Sequence, residues 1–139
     1  MEAIKNVLAL DVGDARIGVA IASTAAKIAS PLTTLSNDEN LQENIKQLIN
    51  EHQAQAIVIG LPRGLDGQTT SQTEKTQTFA DNLKANFDLP LYMQDEAVTS
   101  KKAEEELKSR KKPYAKEDID ALAATYILDD FMTNRANEI

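Results

Sequence analysis

The sequence predicts an α/β fold, a mixed five-stranded sheet with an antiparallel meander on one side, parallel strands on the other and flanking helices. Three observations carry that expectation. Short apolar runs separated by Gly, Asp or Pro open the chain, a nearly continuous apolar run lies in its middle, and segments of helical periodicity alternate with the later runs. At 139 residues, 42% hydrophobic and 27% charged, the chain has the make-up of an average soluble domain. One domain over residues 1–139 is expected, because no repeat, low-complexity tract or Pro/Gly-rich linker divides it.

Residues 6–11 (NVLALD), 16–22 (RIGVAIA) and 30–35 (SPLTTL) read as the strands of the meander. Ser36 and Glu39 have capping-box spacing, and Leu41, Ile45, Leu48 and Ile49 follow at helical intervals, so a helix is expected over residues 38–52. Residues 54–61 (AQAIVIGL) have the continuous apolar character of a strand buried on both faces of a parallel sheet. A loop over residues 62–67 follows. Phe79, Leu83 and Phe87 recur every fourth residue and predict a helix over 71–87, after which Pro90 introduces a strand over 91–94. Residues 101–109 read as a short polar helix. Ile119, Leu122, Ala123, Tyr126 and Ile127 match the amphipathic template and predict a C-terminal helix over 117–132 that buries this stripe.

Composition narrows the chemistry. Without cysteine there is no disulfide framework, thiolate nucleophile or Cys-rich metal site, and the single His52, expected on the surface at a helix end, removes most imidazole chemistry. Acid, base and metal ligands must then come from Asp and Glu. No apolar run approaches the ~20 residues of a membrane span and no signal-peptide core opens the chain, so a cytoplasmic protein with no membrane partner is expected. Against 22 Asp and Glu stand 15 Lys and Arg, a net charge of −7. Any contact with a phosphate backbone must therefore be local, since that affinity comes from basic side chains releasing counter-ions.

Ligands in such sheets gather at the carboxyl ends of the parallel strands, and acids mark two of those predicted ends. Asp11 closes the first strand, with Gly13 free to turn behind it, and Asp95-Glu96 closes the last. Asp120 falls on the flank of the stripe of the last helix, from where it reaches inward, whereas Asp118 on the other flank suits the positive helix N-terminus. Each acid alone has an ordinary structural reading, as an Asx turn or a helix cap. Three from separate elements near one sheet edge point to a site, because gathered carboxylates resist ionisation unless a cation neutralises them. Oxygen ligands without Cys or His suit Mg²⁺ or Mn²⁺, and two such ions would clamp the attacking water and the leaving oxygen of a phosphodiester.

Two further features bear on binding. Gly60-Leu-Pro-Arg-Gly-Leu-Asp-Gly67 places glycines and Arg63 between a buried strand and a helix; it fits neither standard phosphate-loop pattern, and an ordinary turn explains it equally well. The run Lys108-Ser-Arg110-Lys111-Lys112, with Lys101, Lys102 and Lys116 nearby, is a local basic cluster in an acidic chain. Such runs are usually solvated surface, but its position between Asp95-Glu96 and Asp120 suits a grip on a nucleic-acid backbone.

On these residues the chain resembles the YqgF/RuvX family of RNase H-like proteins, described both as pre-16S rRNA nucleases and as Holliday junction resolvases. Asp11-Val-Gly13 followed by Arg16-Ile-Gly-Val-Ala20 is similar to the family's opening motif. Gly60-Leu-Pro62 with Gly67, Phe79-Ala80 and Leu83 resembles its central one, Asp95-Glu96 with Val98-Thr99 the third, and Asp120 with Ala123-Ala124 and Ile127-Leu128 the last. The resemblance implies an RNase H-like fold and a Mg²⁺- or Mn²⁺-dependent nuclease in which Asp11, Asp95, Glu96 and Asp120 are the active-site acids. Of these, Asp11, Glu96 and Asp120 would be the metal ligands, and Arg16, Arg63, Lys101, Lys102, Lys108, Arg110, Lys111 and Lys112 the cations facing nucleic acid. The chain departs from the family at Ala97, where an Arg usually follows the Asp-Glu pair. That substitution removes a bidentate partner for a phosphate or carboxylate.

Three readings follow. The first is an endonuclease acting on structured RNA, by resemblance the 5′ end of the small-subunit rRNA precursor, or on branched DNA, as a monomer or homodimer. A binding module without catalysis is the second, which Ala97 and the acidic balance favour. A phosphotransferase fragment of the sugar-kinase type is the third, and 139 residues leave no second domain to close over a nucleotide.

Overall fold

Strand periodicity splits the apolar residues between two faces of one sheet, and the helices follow that division. The computed structural model describes residues 5–64, 66–96, 99–110 and 113–134, without the side chains of 99–103 and 134. Strands β1 (Asn6–Val12), β2 (Arg16–Ser23) and β3 (Ile28–Ser36) form the meander, followed by helix α1 (Leu41–His52). Strand β4 (Ala56–Pro62), helix α2 (Ser71–Asn86), strand β5 (Leu91–Glu96) and helices α3 (Thr99–Ser109) and α4 (Lys116–Asn134) complete the chain. The sheet order is β3-β2-β1-β4-β5, with β1 antiparallel to β2 and parallel to β4, and β4 parallel to β5. This is the mixed sheet expected. Pro31 sits on the edge strand β3, beside a bulge opposite Val19 and Ala20, where a missing N–H is tolerated.

On one face Leu8, Leu10, Ile17, Val19, Ile57 and Ile59 pack under α1 and α2, which contribute Leu41, Ile45, Ala80 and Leu83. On the other face the strands offer smaller residues, Val7, Ala9, Ala20, Ala22, Ala56 and Val58, to Ala124, Ile127, Leu128 and Phe131 of α4. Small side chains let α4 lie close. At Gly18 an added Cβ would stand 2.0 Å from the carbonyl oxygen of Asp120, and at Gly60 one would stand 2.3 Å from Cδ1 of Ile127. Helix α3 covers the outer side of α4 through Leu107, which meets Leu122 and Ala123, with Ile119, Tyr114 and Tyr126 against them. Among the described residues no helix is long and apolar enough to cross a membrane.

Several expectations are corrected. The stripe Ile119, Leu122, Ala123 and Tyr126 meets α3, not the sheet; only Ile127 of the predicted stripe belongs to the sheet-facing row. Ser36 and Glu39 form no capping box. Asn37 is tied to the β1–β2 turn, its N–H donating to the carbonyl of Ala15 and its amide to that of Gly13, so α1 starts only at Leu41 behind an Asn40 that caps with no side-chain bond. A capping box does occur on α2, between Thr70 and Thr73, where a Thr replaces the usual Glu or Gln. Strand β5 runs through Glu96, so the acidic pair lies within it, not beyond its end. His52 ends α1 as expected but is half-buried.

Candidate functional site

Alternation along the strands decides which acids meet. On β1, Val7 and Ala9 face α4, and the next residue on that side is Asp11. On β2 the same side continues from Ala22 and Ala20 through Gly18, the partner of Asp11, to Arg16. On β5 Tyr92 packs against Phe131 of α4, with ring centroids 5.2 Å apart, which puts Gln94 and Glu96 on that side and Asp95 on the other. Helix α4 adds Asp120, which begins the sheet-facing row continued by Ala124, Ile127 and Phe131 at helical spacing. Four elements thus bring Asp11, Arg16, Glu96 and Asp120 to one face at one end of the sheet.

Arg16 makes the strongest contact of this group. Its Nε donates to Oδ2 of Asp120 at 2.6 Å, joining β2 to α4, with Asp120 largely covered and Arg16 about one-third exposed, at 19% and 37% of their side-chain surface. That hydrogen bond and the carboxylate charge raise the Arg16 pKa further. Asp11 is pushed the other way from a normal carboxylate. Burial first, and the charge of Asp120 second, raise its pKa from 3.8 to about 6. Glu96 runs beneath Gly60, its Cγ 3.7 Å from where a Cβ would be, with Oε1 shielded from water.

Asp95 is mostly exposed and accepts a 3.3 Å bond from Nε of Arg63, whose Nη1 donates to Thr69 and whose backbone N–H donates to the carbonyl of Glu96. The glycine-bearing loop therefore anchors Arg63 against the end of β5. Lys108 and Arg110 point along α3 into exposed pairs with Glu104 and Glu106, worth a few tenths of a kcal/mol each (~0.3–0.5) and easily exchanged for phosphate. The side chains of Lys101 and Lys102, and all of Ala97, Lys111 and Lys112, lie outside the described residues. Asp118 accepts from the N–H of Ala115 at the start of α4, the helix-end role expected of it.

Sequence reasoning missed three things. The partnership of Arg16 with Asp120 spans 104 positions and leaves no local signal. Glu106 accepts from the Tyr126 hydroxyl and so ties α3 to α4. A groove of about 560 Å³ runs between β3 and the α3–α4 pair, lined by Leu32, Thr34, Arg110, Tyr114, Ala121 and Leu122 among others. It adjoins the acidic face, because Thr34 pairs with Gly18 and Ala121 follows Asp120.

The donor chemistry suits a hard divalent cation: oxygen ligands only, on one face, with Asp120 close enough that its charge opposes the ionisation of Asp11. Among the described residues, however, no three acidic or histidine side chains stand together as a finished cage. Asp120 is engaged by Arg16 instead.

The family described as "RuvX: Holliday junction resolvase" matches residues 5–134. A protein of Thermoanaerobacter pseudethanolicus bearing the name "Putative pre-16S rRNA nuclease" is 36% identical over 138 residues, covering 96% of this chain and 99% of the relative. Proteins of the same name from Crocosphaera subtropica and Chloroflexus aurantiacus are 42% and 41% identical, over 94% and 93% of this chain and 94% and 87% of theirs. Among solved structures, Thermus thermophilus RuvC in complex with a Holliday junction aligns over 95% of this chain and 96% of that one, with a TM-score of 0.56 at 15% identity. The fowlpox virus Holliday junction resolvase aligns over 93% and 99%, with a TM-score of 0.56 at 10% identity. At such identities these two likenesses speak for the fold, which they share.

Proposed function

The chain belongs to the RuvX family, and from that membership we propose that it is a single-domain, divalent-metal-dependent nuclease that hydrolyses phosphodiester bonds in structured nucleic acid. The substrate we favour is the precursor of small-subunit rRNA, after the names its relatives carry. The observation that supports the reading best is the gathering of Asp11, Glu96 and Asp120 on one sheet face from β1, β5 and α4.

In this reading Asp11, Glu96 and Asp120 would hold Mg²⁺ or Mn²⁺. The bound ions supply Lewis-acid stabilisation of the phosphate oxygens and a more acidic water. The protein's own part is placement. Asp11, half-buried at the end of β1, is partly shielded from bulk water. Arg63, braced by Asp95 and Thr69, presents a planar guanidinium near the end of β5, in a chain where Ala97 stands in place of the family Arg. Arg16, Arg110 and Lys108, with Lys101, Lys102, Lys111 and Lys112, supply the cations for the nucleic-acid backbone. Asp95, turned to the opposite face, acts through Arg63.

The test is cleavage of a structured rRNA precursor and a four-way DNA junction, side by side with Mg²⁺ or Mn²⁺, by the wild type and Asp120→Asn. Metal-dependent cutting that is lost in the variant supports the mechanism, and the preferred substrate separates RNA processing from junction resolution. A resolvase also needs paired cuts, so solution mass distinguishes a monomer from a homodimer. Ala97 favours a second reading, a non-catalytic RNA-binding member. RNA binding that falls with salt while neither substrate is cut would establish that reading and overturn the first.

A further inference from the structure

Arg16 is fixed before its side chain is considered. It pairs with Ser36 across the β2–β3 ladder, and its carbonyl accepts the N–H of Gly13 at 2.9 Å, which ties it to the turn that follows Asp11. From that anchored position its guanidinium reaches Oδ2 of Asp120. Asp120 is as constrained, because its backbone is pressed on Gly18 so closely that no Cβ fits between them. Two fixed backbones thus deliver one cation to one carboxylate, on the face that also carries Asp11 and Glu96. An Arg side chain stays charged at every working pH, so it cannot vacate the carboxylate by losing a proton.

We propose that Arg16 is the resident counter-ion of Asp120, which it surrenders when a divalent cation binds, and that it thereby sets the metal affinity of the site. The proposal rests on the reading of Asp11, Glu96 and Asp120 as ligands. Asp120 Oδ2 cannot serve a 2.6 Å hydrogen bond and an inner-sphere cation at full strength together. With Arg16 engaged, the charge of Asp120 is met by the guanidinium and no finished cage of three acids stands among the described residues; with Arg16 displaced, the attraction for a divalent ion rises. The freed guanidinium, a planar fork of donors, is then beside the acidic face and suited to a phosphate held there. Metal loading and the release of a phosphate-binding group become one event.

Mn²⁺ binding, followed by the electron paramagnetic resonance signal of the free ion at constant ionic strength and without nucleic acid, tests this. Wild type, Arg16→Ala, Arg16→Gln, Arg16→Lys and Asp11→Asn are compared, each first melted in EDTA. We expect Arg16→Ala and Arg16→Gln to bind Mn²⁺ about tenfold more tightly than wild type, the lower range for the loss of one charge-assisted hydrogen bond. Arg16→Lys falls between, and Asp11→Asn loses binding. General structural damage would weaken binding, so a gain is not mimicked by misfolding; Arg16→Gln, which keeps a polar stem, covers a failure of Arg16→Ala to fold. Equal or weaker binding in both variants, with binding still lost in Asp11→Asn, overturns the counter-ion role and leaves the ligand reading intact. Undiminished binding in Asp11→Asn, or none in any protein, overturns the ligand reading and the proposal with it.

Discussion

Replacing Asp11 by Asn should make the metal-free protein more stable at neutral pH, because this carboxylate is held where its charge is unwelcome. Its pKa is raised from 3.8 to about 6 by burial and by Asp120. A group whose folded pKa lies above its unfolded one favours folding while both states are protonated. That contribution is full below about pH 4 and is lost as the pH rises through about 6. At pH 7.5 the ionised Asp11 therefore costs about 3 kcal/mol relative to a neutral isostere, at about 1.4 kcal/mol per tenfold difference in proton affinity. Asn has nearly the same shape and carries no charge, so Asp11→Asn should recover most of this, a Tm higher by roughly 5–10 °C for a chain of this size. Urea unfolding in EDTA at pH 7.5 and at pH 4 measures it. The variant should gain at pH 7.5 and match the wild type at pH 4, and saturating Mn²⁺ should stabilise the wild type alone. A variant that is less stable at pH 7.5, or whose advantage persists unchanged at pH 4, would refute the reasoning.

Other predictions probe separate parts of the structure. Gly18→Ala would set a methyl against the Asp120 carbonyl and force α4 off the sheet, at a cost of about 3 kcal/mol in urea unfolding together with loss of Mn²⁺ binding. Phe131→Ala should cost about 3–5 kcal/mol by emptying the fully buried contact of α4 with Tyr92, and thermal melting reads it directly. Glu96→Gln should reduce cleavage at least a hundredfold, whereas Asp95→Asn, which only loosens Arg63, should reduce it less than tenfold; single-turnover rates separate them. Tyr126→Phe should cost about 1–2 kcal/mol at pH 7 by removing the hydroxyl that donates to Glu106, and hydrogen exchange should show α3 loosening first.

Local patterns were readable because they depend on neighbours in the chain. The short apolar strand ending at Asp11, the apolar run through Ile57 and Ile59, and the order of strands and helices needed only local apolar pattern and turn residues. Family membership was readable for the same reason, since the motifs around Asp11, Gly60, Asp95 and Asp120 are short and contiguous. The capping box was placed wrongly because Ser36 and Glu39 satisfy a local rule that the tether of Asn37 to the β1–β2 turn overrides. The stripe on α4 was oriented wrongly because that helix is covered twice, by the sheet through Ala124, Ile127, Leu128 and Phe131 and by α3 through Leu122 and Ala123. A helix buried on two sides has no single face for periodicity to find.

The sequence by itself determined the elements, their order, the mixed sheet they form and the acids that chemistry would recruit. Tertiary packing decided which of those acids meet. Glu96 joins Asp11, and Asp95 does not, because β5 continues two residues past the strand expected over 91–94 and strand alternation separates neighbours. Asp120 joins them because Gly18 lets α4 lie against β2. Arg16 meets Asp120 across 104 positions by the same close approach. No local rule carries such a pairing, since it is set by the distance between a helix and a sheet, and that distance is set by the absence of one methyl group.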